Sequence, residues 1–197
     1  MIILITTVCN MFCSHCCFSC SGEGEHMSRH IFLKALRMGL NRNVTIGGGE
    51  PTLHPNFWEL LSIAIASGID IRVVTNGSLE QESITLAELG RKGVIRAQLS
   101  LDEWHQQISP LVIRSFKEGL YHRCIGDKRS IFTAKPVSAG RAASFGIPKC
   151  CCDDIVVLPD GEIYGCGCFK QHFGNVDNYS IPHWYQWGCT EGKNWDK

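Results

Sequence analysis

The sequence predicts an α/β fold: a parallel sheet of about five to six strands, open or curved into part of a (β/α) barrel, followed by a small cysteine-rich β-hairpin extension. Three observations carry this. Short β-branched runs alternate with helical-period segments through the first two thirds of the chain. Each run ends in a cysteine, glycine, Asn-Gly or Asp motif, the residue types expected at the functional ends of parallel strands. After Gly126 the texture changes, and a Pro159-Asp160-Gly161 turn joins two short apolar runs.

The elements follow in order. Met1 to Thr7 is an apolar first strand, and a cysteine-rich loop follows it. Ser28 can cap a helix running to about Leu40. Val44 to Ile46 is a second strand, ended by Gly47-Gly48-Gly49. Phe57, Leu60, Leu61, Ala64 and Ile65 recur at helical spacing after Pro55, until Gly68 stops the helix. Ile69 to Thr75 is a third strand with Asn76-Gly77 as its turn, and the helix after it carries Leu86 and Leu89 up to Gly90. Val94 to Leu101, a helix from Pro110 to Leu120, and Ser130 to Ala134 continue the alternation. Ile155 to Leu158 and Glu162 to Tyr164 flank the final hairpin turn.

With 197 residues the chain can build one full core, and we place a soft boundary between a core at residues 1–135 and an extension at 136–197. Nineteen basic side chains balance 19 acidic ones, so no global field points to nucleic acid or an anionic membrane. The longest apolar runs fall far short of the roughly 20 residues a membrane span needs. Met1 to Ile5 lacks a basic n-region and a small-residue cleavage site, so the expected location is cytoplasmic. Twelve cysteines then favour metal or iron-sulfur ligation over a disulfide framework. Five lie between Cys9 and Cys20 and five between Cys150 and Cys168, a crowding that suits multi-thiolate coordination.

Cys9-x3-Cys13-x2-Cys16 follows the first strand. Three thiolates at this spacing can wrap an iron-sulfur cubane and leave its fourth iron open to a chelating α-amino carboxylate, although zinc sites also use short cysteine spacings. Gly48-Gly49-Glu50-Pro51 follows the second strand, where glycines allow close approach and a carboxylate can accept from an ammonium. Thr75-Asn76 ends the third strand and Ser100-Leu101-Asp102 the fourth, each also compatible with a turn or cap role. His105 is a candidate acid or base, or simply a surface histidine.

Together these motifs resemble the radical S-adenosylmethionine (SAM) superfamily over roughly Met1 to Trp184. The resemblance implies a 4Fe-4S cluster held by Cys9, Cys13 and Cys16, with His15 at the position before the third cysteine that is often aromatic. It implies SAM bound through Gly48, Gly49, Glu50 and Pro51, with Thr75, Asn76, Ser100 and Asp102 near the cofactor. The implied enzyme cleaves SAM reductively to a 5′-deoxyadenosyl radical, which abstracts hydrogen from a small-molecule, nucleotide-like or peptide substrate; a flavodoxin or ferredoxin would supply the electron. The region between residues 103 and 130 is shorter than the usual family barrel.

Cys150 or Cys151, then Gly161-x4-Cys166, resembles the opening of the SPASM and Twitch extensions that hold auxiliary 4Fe-4S clusters. Gly140-Arg141-Ala142 and Gly174-Asn175-Val176 with Trp184 resemble their flanking segments. Only Cys168 and Cys189 follow Cys166, so at most one auxiliary cluster is expected; a zinc clip or reduced thiols are the alternative. Cys17 and Cys20 match no family position and read as spare thiols beside the main cluster, and Cys124 reads as core. Trp184, Tyr185 and Trp187 can line a pocket or cover a core edge. A non-catalytic iron-sulfur or zinc protein for electron transfer or regulation uses the same cysteines, but has no need of an amino-acid-binding strand end.

Overall fold

In the computed structural model the described residues are 1–39, 43–118, 126–133, 139–145 and 154–182. Leu40, Leu120, Cys124, Ala134, the boundary at 136, Gly146, Pro148, Cys150, Cys151, Cys152, Trp184, Tyr185, Trp187 and Cys189 lie outside them.

Five strands, β1 (Ile2–Thr6), β2 (Val44–Gly48), β3 (Ile71–Thr75), β4 (Arg96–Ser100) and β5 (Arg129–Phe132), pair in parallel in sequence order. A helix occupies each crossover: α1 (Arg29–Met38), α2 (Phe57–Ala66), α3 (Glu80–Arg91) and α4 (Pro110–Lys117). Local chemistry sets their ends. The Ser28 side chain accepts from Ile31 N, and Ser109 accepts from Leu111 N with Pro110 in the first turn.

The helices bury one face of the sheet. Ile3 and Ile5 of β1, Val44 and Ile46 of β2, Ile71 and Val73 of β3, and Ala97 and Leu99 of β4 all belong to one core with Phe32, Leu60, Leu61, Leu86 and Phe116. Side chains alternate across a strand, so the residues between these point to the other, concave face. That face carries the cavities described below.

The sixth parallel strand stands elsewhere than a continuation past β5. It is β6 (Val156–Val157), which pairs with β1 at the opposite side and is also the first strand of the hairpin. Strands β7 (Glu162–Tyr164), β8 (His172–Asn175) and β9 (Asn178–Tyr179) continue antiparallel from it. The extension and the core therefore share one nine-stranded sheet, ordered β5-β4-β3-β2-β1-β6-β7-β8-β9 and not closed among the described residues. Within those residues, no helix is long and apolar enough to cross a membrane.

Candidate active site: a thiol triad over a glycine-floored cavity

The loop after β1 folds back along that strand through Thr6–His26 and Val8–Ser21 bridges, which brings its thiols over the C-terminal rim. Cys9 N donates to Ser21 O at 2.6 Å, and Cys16 N to Cys13 O at 3.2 Å. A cavity of about 360 Å³ opens below. Cys9, Cys13 and Cys16 line it from the loop, and His15 beside them. Gly47, Gly48 and Gly49 line it from β2, Thr75 and Asn76 from β3, and Ser100 from β4. Four strand ends thus converge on one space.

The fold excludes a side chain at Gly48 and at Gly49, where a Cβ would lie 2.2 Å from Val8 O, whereas Gly47 stands clear of the protein. Gly48 sits at φ +143°, and a Cβ there would lie 2.1 Å from Thr6 O, so β2 could not approach β1 with any side chain. A Cβ on Gly47 meets nothing within 4 Å, so that residue leaves open space at the rim where a ligand can lie against the backbone.

Glu50, expected to receive an ammonium, is fully buried and does not line the cavity. Its Oε1 accepts from Thr52 N (3.2 Å), Thr52 Oγ1 (2.6 Å) and Thr75 Oγ1 (2.9 Å), and its Oε2 from Asn76 N (2.6 Å). Burial pushes its carboxyl above the ordinary range, and these donors oppose that shift. Glu50 therefore ties the end of β2 to the end of β3 from behind the rim. Asn76, so placed, turns its Nδ2 toward Cys9 Sγ at 3.7 Å and to Asn10 Oδ1 at 3.1 Å. Pro51 is likewise buried, in the short 3-10 turn Pro51–Leu53.

Asp102 also stands behind the lining. Its Oδ1 lies 2.6 Å from His105 Nδ1 and its Oδ2 3.8 Å from His15 Nε2, with the two imidazoles edge to face at 5.0 Å. His15 and His105 reach the cavity, whereas Asp102 orients His105 by a hydrogen bond and stands near His15 as a charge. Burial lowers the His15 pKa, and its Nδ1 is a buried polar atom with no partner among the described residues.

The thiols differ in acidity. Burial raises Cys9, and burial with the neighbouring thiolates pushes Cys13 up to about 11. Cys16 is lowered to about 5 because the Cys20 thiol donates to it, which raises Cys20 in turn. Cys20 is thus a buried thiol beside the triad, where a spare thiol next to the main cluster was expected. A residue that sequence reasoning missed at the site is Arg141. Its backbone N–H donates to Cys16 O and its Nε to Cys13 O, both at 3.0 Å, while its guanidinium lies 3.9 Å from the Phe12 ring centroid. The Gly140-Arg141-Ala142 string was the available signal.

Do these residues fit an iron-sulfur cluster with SAM? Among the described residues the one His/Cys/Asp/Glu group whose ligand atoms all lie within 4.8 Å of one another is His15, Asp102 and His105. Cys9, Cys13 and Cys16 are spread more widely than the ligands of a single ion, which suits a cubane over a zinc site. With the open space at Gly47 and the orphan His15 Nδ1, the set fits. No disulfide joins the described cysteines. Of the auxiliary candidates, Cys166 is buried and Cys168 half-buried; Gly167 between them lines the main cavity beside Phe18. Cys150, Cys151 and Cys189 are outside the described residues.

Fold and site thus define a parallel (β/α) sheet with three cysteines lining a cavity at its C-terminal rim. The profile of the radical SAM superfamily matches residues 3–162, and the chain belongs to that superfamily, whose members use a 4Fe-4S cluster and SAM. It is 36% identical over 103 residues to the mycofactocin maturase MftC of Mycobacterium ulcerans, covering 50% of this chain and 27% of that protein. It is 36% identical over 107 residues to the GTP 3′,8-cyclase of Chlorobaculum tepidum, covering 51% and 32%. Among solved structures, Streptococcus suis SuiB bound to precursor peptide SuiA superposes with a TM-score of 0.53 at 12% identity, over 98% of this chain and 65% of that one, a likeness of fold. The matches span about a quarter to a third of these curated relatives.

Proposed function

We propose that this chain is the catalytic portion of a radical SAM enzyme acting on a peptide, nucleotide-like or other small substrate. The observation that carries this is the convergence of three cysteines, the β2 glycines and the ends of β3 and β4 on one cavity. When bound, the cluster and SAM supply an electron and a 5′-deoxyadenosyl radical that takes a hydrogen atom from the substrate. Cys9, Cys13 and Cys16 hold the cluster. Gly47 to Gly49 let the methionyl end of SAM approach the backbone, while Glu50, through Thr75 and Asn76, fixes the strand ends that face it. Ser100, His15 and His105 line the side away from β2, with Asp102 holding His105 and standing near His15. Phe18 and Gly167 close the cavity toward the extension and keep water from the radical.

The relatives' activities, maturation and GTP cyclisation, support both peptide and nucleotide-like substrates. SuiB, recorded with a precursor peptide, supports the former. A reduced flavodoxin or ferredoxin meets the electron demand. Residues 136–197 form the extension, in which Cys166 and Cys168, with Cys150, Cys151 and Cys189, would hold one auxiliary cluster. Iron counting on the Cys9, Cys13 and Cys16 triple alanine variant reads this: about four irons per chain remain if it exists.

The test of the main reading is anaerobic reconstitution followed by SAM and dithionite. Formation of 5′-deoxyadenosine and methionine is expected. A fully loaded cluster that leaves SAM intact would overturn the proposal.

A further inference from the structure

A second cavity, of about 330 Å³, lies on the same concave sheet face at the opposite ends of the strands. Arg72, Arg96, Gln98, Lys128, Arg129 and Ser130 line it. In the register, Arg72 stands directly opposite Arg96, and Gln98 opposite Ser130. Like charges facing each other on neighbouring strands repel, so this placement weakens the sheet. The neighbouring carboxylate, Asp70, accepts from Arg96 Nη2 at 2.5 Å and lies 3.8 Å from Lys128 Nζ. Its one charge stands against three cations. Arg129 adds none, because its guanidinium turns to the helical face, where Asp127 and Ser115 O bind it.

Arg72 is the most telling of the three. Its Nε is buried with no hydrogen-bond partner among the described residues. A buried donor left unmade costs roughly 1–3 kcal/mol, and a guanidinium fork is shaped to offer its donors to an oxyanion. Asp70 Oδ1 is likewise buried without a hydrogen-bond partner, but it is one carboxylate against three cations, so among the described residues the cluster keeps an excess of positive charge and an open guanidinium donor that an oxyanion would satisfy.

Its relation to the thiol-lined cavity supplies the function. On each of β3, β4 and β5 a residue that lines the basic cavity is followed two positions on by one that lines the thiol-lined cavity: Arg72 and Val74, Gln98 and Ser100, Ser130 and Phe132. Residues two apart in a strand share a face and lie about 7 Å apart. The two cavities are the two ends of one face, a short molecule's length from each other.

We propose that Arg72, Arg96 and Lys128 form the anion-binding end of the substrate site, taking a phosphate or carboxylate group of a small molecule whose reacting carbon reaches the cavity under the thiols. The proposal rests on the radical SAM reading for what happens at the far end, and it narrows the substrate to an anionic small molecule.

The test uses the reconstituted chain with SAM bound. Inorganic pyrophosphate and malonate are titrated calorimetrically at constant ionic strength, the first standing for a phosphate-bearing substrate and the second for a carboxylate. One of them should bind wild type, and Arg72→Gln and Arg96→Gln should each weaken it by about tenfold or more. Arg114→Gln, which removes an exposed arginine elsewhere, should bind as wild type does. In wild type the same anion should protect Lys128 from acetylation, read by mass spectrometry, which keeps the test valid if a variant fails to fold. The inference is overturned if neither anion binds, if the Arg72 and Arg96 variants bind as wild type does, or if Lys128 is acetylated equally with and without anion. Wild-type SAM cleavage measured on the same preparation separates the two claims: cleavage without anion binding defeats this inference alone, whereas absent cleavage defeats the enzyme reading.

Discussion

Glu50→Gln separates two roles for the carboxylate that follows the glycines of β2. If Glu50 braces the strand ends, the substitution is a stability change. Glutamine can keep its carbonyl where Oε1 accepts from Thr52 and Thr75, but its amide nitrogen then faces the Asn76 N–H, donor against donor. One charge-assisted bond of 2.6 Å is lost and a buried donor left unmade. Those losses total about 3 kcal/mol, and relief of the buried charge recovers part of them, leaving about 2 kcal/mol. For a chain of this size that lowers the thermal midpoint by roughly 4–8 °C. Urea and thermal unfolding of the anaerobic protein measure it, with SAM affinity determined in parallel on the reconstituted variant. An unchanged midpoint with a large loss of SAM affinity would refute the bracing role and return Glu50 to direct contact with the cofactor.

Gly47→Ala gives the complementary result: its methyl points into open cavity space, so SAM affinity should fall by about tenfold or more while the thermal midpoint holds. Arg141→Gln removes a positive charge that sits on the backbone of two cluster ligands, so the cluster's midpoint potential should drop in an EPR-monitored titration, and Arg141→Lys should recover part of the shift. In metal-free protein the thiolate is the nucleophile, so alkylation of Cys16 should rise with pH about a midpoint near 5 and that of Cys13 near 11; Cys20→Ala should move the Cys16 midpoint upward, because the lost thiol donor is the largest cause of its acidity.

Much of this site was legible because its parts are local. A β-branched run ending in a glycine or Asn-Gly string marks a strand and the loop at its functional end, and four such endings in series imply one rim. The alternation in Ile71–Thr75 also carries the fold, with Ile71 and Val73 in the core and Arg72 and Val74 on the concave face. What local pattern could not carry was long-range pairing. Nothing in Ile155 to Leu158 says that Val156 will pair with Ile2, more than 150 residues away, so the sixth parallel strand was not expected beside β1. At Glu50 a carboxylate after a glycine run suggests a ligand contact, while the bonds it makes, to Thr52, Thr75 and Asn76, join two different strand ends that local pattern does not bring together. Arg141 was noted only as part of a segment, because its bonds to Cys13 and Cys16 cross some 125 residues of sequence.

The central claim is that the iron left open by Cys9, Cys13 and Cys16 faces the glycine-floored cavity and binds SAM there. EPR of the reduced, reconstituted protein before and after SAM addition tests it most directly. The account predicts that SAM changes the g-values of the cluster and that Gly47→Ala needs about tenfold or more SAM to give the same change. A spectrum unaffected by saturating SAM in the wild-type protein would contradict it.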